Sequence, residues 1–140
     1  MKILFAVDGS DCALAALDKL VSMPLVRDAP ELILINVQPR FPYPRAAALV
    51  GKEVVAQYYE EQSEGELAGA RERLAQCGLA FRVEKRTGDP AQEIVQFAEL
   101  ERCELIAMGA RGRTALENLV MGSVAMKVLA ASKVPVLFLK

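Results

Sequence analysis

Five strand-sized apolar runs alternate with helical patterns along this chain, and that alternation leaves few architectures open. The runs are Lys2 to Val7, Leu32 to Val37, Leu79 to Lys85, Cys103 to Met108 and Val134 to Leu139. Between the first two, Leu14, Leu17, Leu20 and Val21 recur at helical spacing from Ser10 to Ser22, and Pro24 ends the segment. Pro39, Pro42 and Pro44 interrupt regular structure before a long helical stretch from about Ala46 to Cys77. That stretch carries Leu67, Ala70, Leu74 and Cys77 on one stripe, with Gly51, Gly65 and Gly69 loosening its regularity. Asp89-Pro90 reads as an N-cap followed by proline at the first helical position, leading into Ile94, Val95, Ala98 and Leu100. Leu116, Leu119, Val120, Val124 and Val128 form the last helical pattern. Near-continuous apolar strands belong to a parallel sheet covered by helices on both faces. At 140 residues and 53% hydrophobic content, residues 1–140 make one domain with a full core.

In such sheets ligands sit beyond the carboxyl ends of the strands, where neighbouring connections leave in opposite directions. The first strand closes with Asp8-Gly9-Ser10, and the fourth runs into Gly109-Ala110-Arg111-Gly112, then nine residues, then Gly122-Ser123. If those two strands are adjacent, both polar turns meet in one crevice. Gly109 and Gly112 are either ordinary turn glycines or places where backbone N–H groups approach an oxyanion. Gly122 inside an apolar helical pattern costs about 1 kcal/mol relative to alanine if it is mid-helix. A helix restarting there would present N–H groups and the Ser123 hydroxyl to an anion. Asp8 either organises the turn or accepts hydrogen bonds from a ribose; Ser10 reads first as the N-cap. Arg111 and Arg113 flank the glycines and raise the local positive potential.

Other chemistries are excluded. The chain has no histidine, which removes Ser-His or Cys-His nucleophile activation and histidine-based zinc sites. No Gly-Lys-Ser/Thr phosphate loop and no obvious carboxylate pair for catalytic magnesium is present, so turnover is at most slow. Seventeen basic against eighteen acidic residues give a net charge of −1 without a long like-charge block, which argues against nucleic-acid and membrane partners. Met1-Lys2-Ile3 runs straight into a strand pattern and no apolar stretch is membrane-sized; the expected location is the cytoplasm. Cys12, Cys77 and Cys103 are scattered among mostly apolar neighbours and read as buried structural thiols, with one redox-sensing cysteine as the alternative.

Taken together, Gly109-x2-Gly112-x9-Gly122-Ser123, Val7-Asp8-Gly9-Ser10, Thr87-Gly88-Asp89-Pro90 and Ser132-Lys133-Val134-Pro135-Val136-Leu137 resemble the universal stress protein family, in its ATP-binding branch. The resemblance covers the whole chain. It implies a Rossmann-like, doubly wound α/β fold with strand order 3-2-1-4-5. It also implies ATP as ligand, with Mg2+ as an optional companion. Asp8 would contact the nucleoside and Val37 the adenine; Gly109 and Gly112 would hold ribose and phosphates, and Gly122, Ser123 and Val124 the phosphate tail, with Arg111 counted beside them for its charge. Two positions depart from the pattern: Ala110 replaces a small hydroxyl residue, and Asn36 stands where histidine is common. The expected function is stress response or signalling in which nucleotide occupancy is the signal. A slow nucleotide hydrolase or transferase on the same fold, and a nucleotide-free interaction module, are the alternatives. The last strand, Val134 to Leu139, falls at a sheet edge with few charges and is expected to pair two copies into a homodimer.

Overall fold

A computed structural model describes residues 1–28, 30–113 and 120–140. The elements are β1 (Lys2–Ala6), α1 (Asp11–Ser22), a short 3-10 turn (Pro24–Val26), β2 (Glu31–Gln38), α2 (Pro44–Val50), α3 (Lys52–Gln76), β3 (Phe81–Thr87), α4 (Pro90–Leu100), β4 (Leu105–Gly109), α5 (Ser123–Ala131) and β5 (Val136–Leu139). The five strands form one sheet in the order β3-β2-β1-β4-β5, every neighbouring pair parallel. β1 is central, with Ile3 between Leu32 of β2 and Leu105 of β4. This is the doubly wound arrangement expected of alternating strands and helices.

Strand residues alternate between two cores. Ile3, Phe5, Leu32, Leu34 and Ala107 pack with Ala16, Leu17 and Leu20 of α1 and Leu67, Ala70 and Leu74 of α3. Leu4, Ile33, Ile35, Ile106 and Met108 pack with Ile94, Val95, Phe97 and Ala98 of α4 and Ala125 and Val128 of α5. Because each central strand is covered on both sides, both alternating sets are apolar, as the uninterrupted runs required.

Helix ends follow local chemistry. The Ser10 hydroxyl accepts from the Ala13 N–H and caps α1; the Asp89 carboxylate accepts from the Gln92 N–H and caps α4 ahead of Pro90. The stretch expected as one helix from Ala46 to Cys77 is two. Gly51, at φ +91°, separates α2 from α3, because only glycine enters that region without strain. α3 then runs unbroken through Gly65 and Gly69; a Cβ at Gly69 would come within 3.1 Å of Leu14, so glycine lets α3 approach α1.

Several expectations need correction. The buried stripe of α3 ends at Leu74, and Cys77, in the C-cap, is exposed; Cys12 is half-buried and only Cys103 is buried. Leu100, in the last turn of α4, is exposed. β5 begins at Val136, since Pro135 has no N–H for the ladder, although its carbonyl still accepts from Ile106 N–H. Leu116 and Leu119 lie outside the described residues.

Candidate functional site

β1 and β4 lie side by side, and the helices that follow them leave on opposite faces, α1 towards α3 and α5 towards α4. A crevice opens at their carboxyl ends, because the two connections leave in opposite directions. A cleft of about 250 Å3 occupies that position. Its lining combines apolar side chains, Val37 at the end of β2, Ile94 on α4 and Met108 on β4, with Asp8, the glycine-rich residues after β4 and the start of α5. The eight residues singled out from the sequence, Asp8, Val37, Gly109, Arg111, Gly112, Gly122, Ser123 and Val124, all line this one cleft.

The glycines serve it through space. None of Gly109, Gly112 and Gly122 has a positive φ, so a conformational need does not select them. A Cβ on Gly112 would lie 2.9 Å from Asp8 Oδ2, and one on Gly122 would lie 3.4 Å from the Gly112 nitrogen. One on Gly109 would meet the Arg111 carbonyl at 3.2 Å and that of Cys12, in the first turn of α1, at 3.4 Å, so this glycine also serves the packing of β4 against α1. The loop is closed by the Gly122 N–H donating to Ala110 O at 2.7 Å. Ala110 is buried, and its own N–H donates to Leu139 O.

α5 starts where the sequence restarts it. Gly122 is the N-cap, Ser123 the first helical residue; no side chain caps the first turn and no acidic residue occupies it. The N–H groups and positive dipole end of this helix therefore face the cleft without a competing internal anion in that turn. Asp8 performs the turn-forming role left open above. Its Oδ1 accepts from the Ser10 N–H at 2.9 Å and the Ser10 hydroxyl at 2.6 Å, while Oδ2 faces Gly112.

Sequence reasoning missed a polar cluster behind the cleft. Asn36 and Gln38, two apart on β2, share the face towards α3, and both are buried. The Asn36 amide donates to Val7 O at 2.9 Å and to Glu66 Oε2 at 2.7 Å; the Gln38 amide donates to Glu66 Oε2 at 2.8 Å. Arg113 pairs with the other carboxylate oxygen of Glu66 and donates from Nε to Asp8 O at 2.9 Å. The signal was the polar pair in register on an otherwise apolar strand, which requires a partner on the covering helix. Asn36 thus fills its departure from the family pattern with a structural task. Among the described residues, no group of three or more His, Cys, Asp or Glu side chains is placed to hold a metal ion. Among the same residues no helix is long and apolar enough to cross a membrane.

Comparison with known proteins places this geometry. The profile described as the Universal stress protein family matches residues 1–140. A universal stress protein of Methanocaldococcus jannaschii, MJ0531, is 33% identical over 99% of this chain and 81% of its own length. The solved structure of MJ0577 from the same organism superposes with a TM-score of 0.81 at 28% identity, covering 99% of this chain and 94% of that one. A universal stress protein of Archaeoglobus fulgidus, solved in complex with dAMP, superposes with a TM-score of 0.68 at 21% identity over 100% of this chain and 98% of that one.

Proposed function

Since the chain belongs to the universal stress protein family, we propose that it binds ATP in the cleft at the carboxyl ends of β1 and β4, and that nucleotide occupancy acts as a stress or signalling cue with little or no turnover. The observation that carries this reading is the pairing, within one cleft, of an apolar lining with a helix N-terminus that nothing caps. A flat base suits the first and a phosphate the second. The adenine lies beside Val37, the ribose near Asp8 and the backbone of Gly109, and the phosphates over Gly112, Gly122, Ser123 and Val124, with Arg111 adding charge. The Archaeoglobus fulgidus relative solved with dAMP supports an adenine nucleotide as the ligand class. Slow or absent turnover fits a site with no histidine anywhere in the chain and no phosphate-loop lysine.

The protein is further read as a cytoplasmic homodimer joined through β5. The two sheet edges differ in kind: β3 carries Arg82, Glu84, Lys85 and Arg86, whereas Val136–Leu139 carries no charge. Edges without charges pair.

The experiment is mass spectrometry of small molecules released from purified protein, followed by calorimetric titration with ATP, ADP and AMP. An adenine nucleotide is expected in the released fraction, with saturable ATP binding. Absence of both, with ATP carried to millimolar concentration, would remove the nucleotide reading.

A further inference from the structure

Just after β4, the Arg113 side chain ties residues 110–113 across the cleft. The Arg113 guanidinium donates to the Asp8 carbonyl and pairs with Glu66 of α3, so it lies over the carboxyl end of β1. The two ends of the Arg113–Glu66 pair are held very unequally. The Glu66 carboxylate is itself fixed: its side chain is 13% exposed and Oε2 receives the amides of Asn36 and Gln38, two buried residues. The Arg113 side chain is 57% exposed. An anchored acid facing a movable base, inside a cleft lined by an uncapped helix start, sets up a competition for the guanidinium.

We propose that Glu66 keeps Arg113 parked as a counter-ion and that a phosphate group arriving at Gly112 and Gly122-Ser123 takes the guanidinium over, untying residues 110–113 from α3. The identity of the phosphate ligand rests on the nucleotide reading above. The exchange is feasible on both sides. A guanidinium matches a phosphate in two parallel hydrogen bonds as well as it matches a carboxylate. Glu66, on losing it, still accepts two amide hydrogen bonds and is not left as a bare buried charge. The handover discriminates between ligands, because adenosine offers no phosphate to claim Arg113. It also converts occupancy into a change of contact between residues 110–113 and α3, which a partner protein can read.

The test compares ATP with adenosine by calorimetry. Glu66→Gln keeps the shape and removes the competing charge, so the ratio of ATP to adenosine affinity should rise by about three- to fivefold, the scale of a partly exposed ion pair. With Arg113→Gln already present, the same change of Glu66 should no longer raise that ratio. A ratio that stays level or falls in the Glu66→Gln protein overturns the handover, the second result assigning Glu66 to direct ligand contact. The Arg113 Nε–H resonance, assigned by its loss in the Arg113→Gln variant, gives a readout free of the nucleotide question. In wild-type protein it should move on adding ATP and on adding inorganic tripolyphosphate. ATP binding with that resonance unmoved would sink the handover and leave the nucleotide reading intact. Failure to bind ATP while tripolyphosphate still moves the resonance would do the reverse, and no calorimetric binding of ATP together with a resonance unmoved by tripolyphosphate would end both.

Discussion

At Gly112 the absence of a side chain has a measurable reason. A methyl group there would lie 2.9 Å from Asp8 Oδ2, and Asp8 cannot swing aside without giving up two hydrogen bonds to Ser10. Gly112→Ala should therefore push the loop out of place, costing about 1–3 kcal/mol in thermal or denaturant unfolding. ATP affinity should fall about tenfold or more, roughly 1.4 kcal/mol, in calorimetry; unchanged affinity would detach Gly112 from the phosphates. Asp8→Ala removes the turn hydrogen bonds and should cost about 1–2 kcal/mol of stability. If Asp8 also meets the nucleoside, ATP binding should suffer more than tripolyphosphate binding. Equal losses for the two ligands would confine Asp8 to organising the turn.

The start of α5 is the element on which the phosphate assignment turns. An acidic residue in a first helical turn stabilises the helix by about 0.3–1 kcal/mol through the dipole, yet the same charge repels a bound phosphate. Ser123→Asp, at the first position of α5, should then move two observables in opposite directions: the melting temperature up slightly, ATP affinity clearly down. Both rising together would place the phosphates elsewhere. α3 carries a different electrostatic load. Lys85 of β3 pairs with Glu60 and Glu64 of α3. The hydrogen bond from Lys85 holds the Glu64 carboxyl below its ordinary value, and hydrogen bonds to Glu60 and Glu64 raise the Lys85 ammonium above its own. A lowered carboxyl adds stability that is present above its unfolded value and disappears as pH falls through the folded one. A raised ammonium adds stability that is present below its unfolded value and disappears as pH climbs through the folded one. The pair therefore contributes across the neutral range, weakly, since these side chains are largely hydrated. Lys85→Met should flatten both limbs of a stability curve against pH; an acid limb unchanged from wild type would show that other carboxylates set it.

At the scale of the molecule, the sheet ends in two unlike edges. β3 is guarded by charge and paired to α3, whereas β5 is short, half-buried and free of charge, with Leu137 and Leu139 facing one core and Val136 and Phe138 the other. An assembly through β5 would cover that edge about a two-fold axis. Sedimentation of the native chain should report a dimer, and Val136→Lys should shift it towards monomer by placing an ammonium in the contact. A native monomer at high micromolar concentration, or a dimer indifferent to that charge, would show the edge to be protected in another way.

Much of this was present in the order of residues alone. Alternating apolar runs specify a covered parallel sheet because a strand buried on both faces must be apolar at consecutive positions, and Ser10, Asp89-Pro90 and Gly122 mark helix starts by chemistry confined to a few neighbouring residues. The glycine and serine spacing likewise selected residues that all line one cleft. Tertiary structure decided what local chemistry cannot contain. Gly51, Gly65 and Gly69 stand alike in the helical pattern, and only the folded backbone shows that the break falls at Gly51, whereas the exposure of Cys77 depends on where the packing against the sheet stops. Gly109 answers to a carbonyl in α1, far away in sequence, and Glu66 gains its place only when β2 brings Asn36 and Gln38 beneath α3 and β4 delivers Arg113 above it. Local sequence fixes which backbone states and faces are favoured. Which distant side chains then meet is set by the order and register of the strands, a property of the whole sheet.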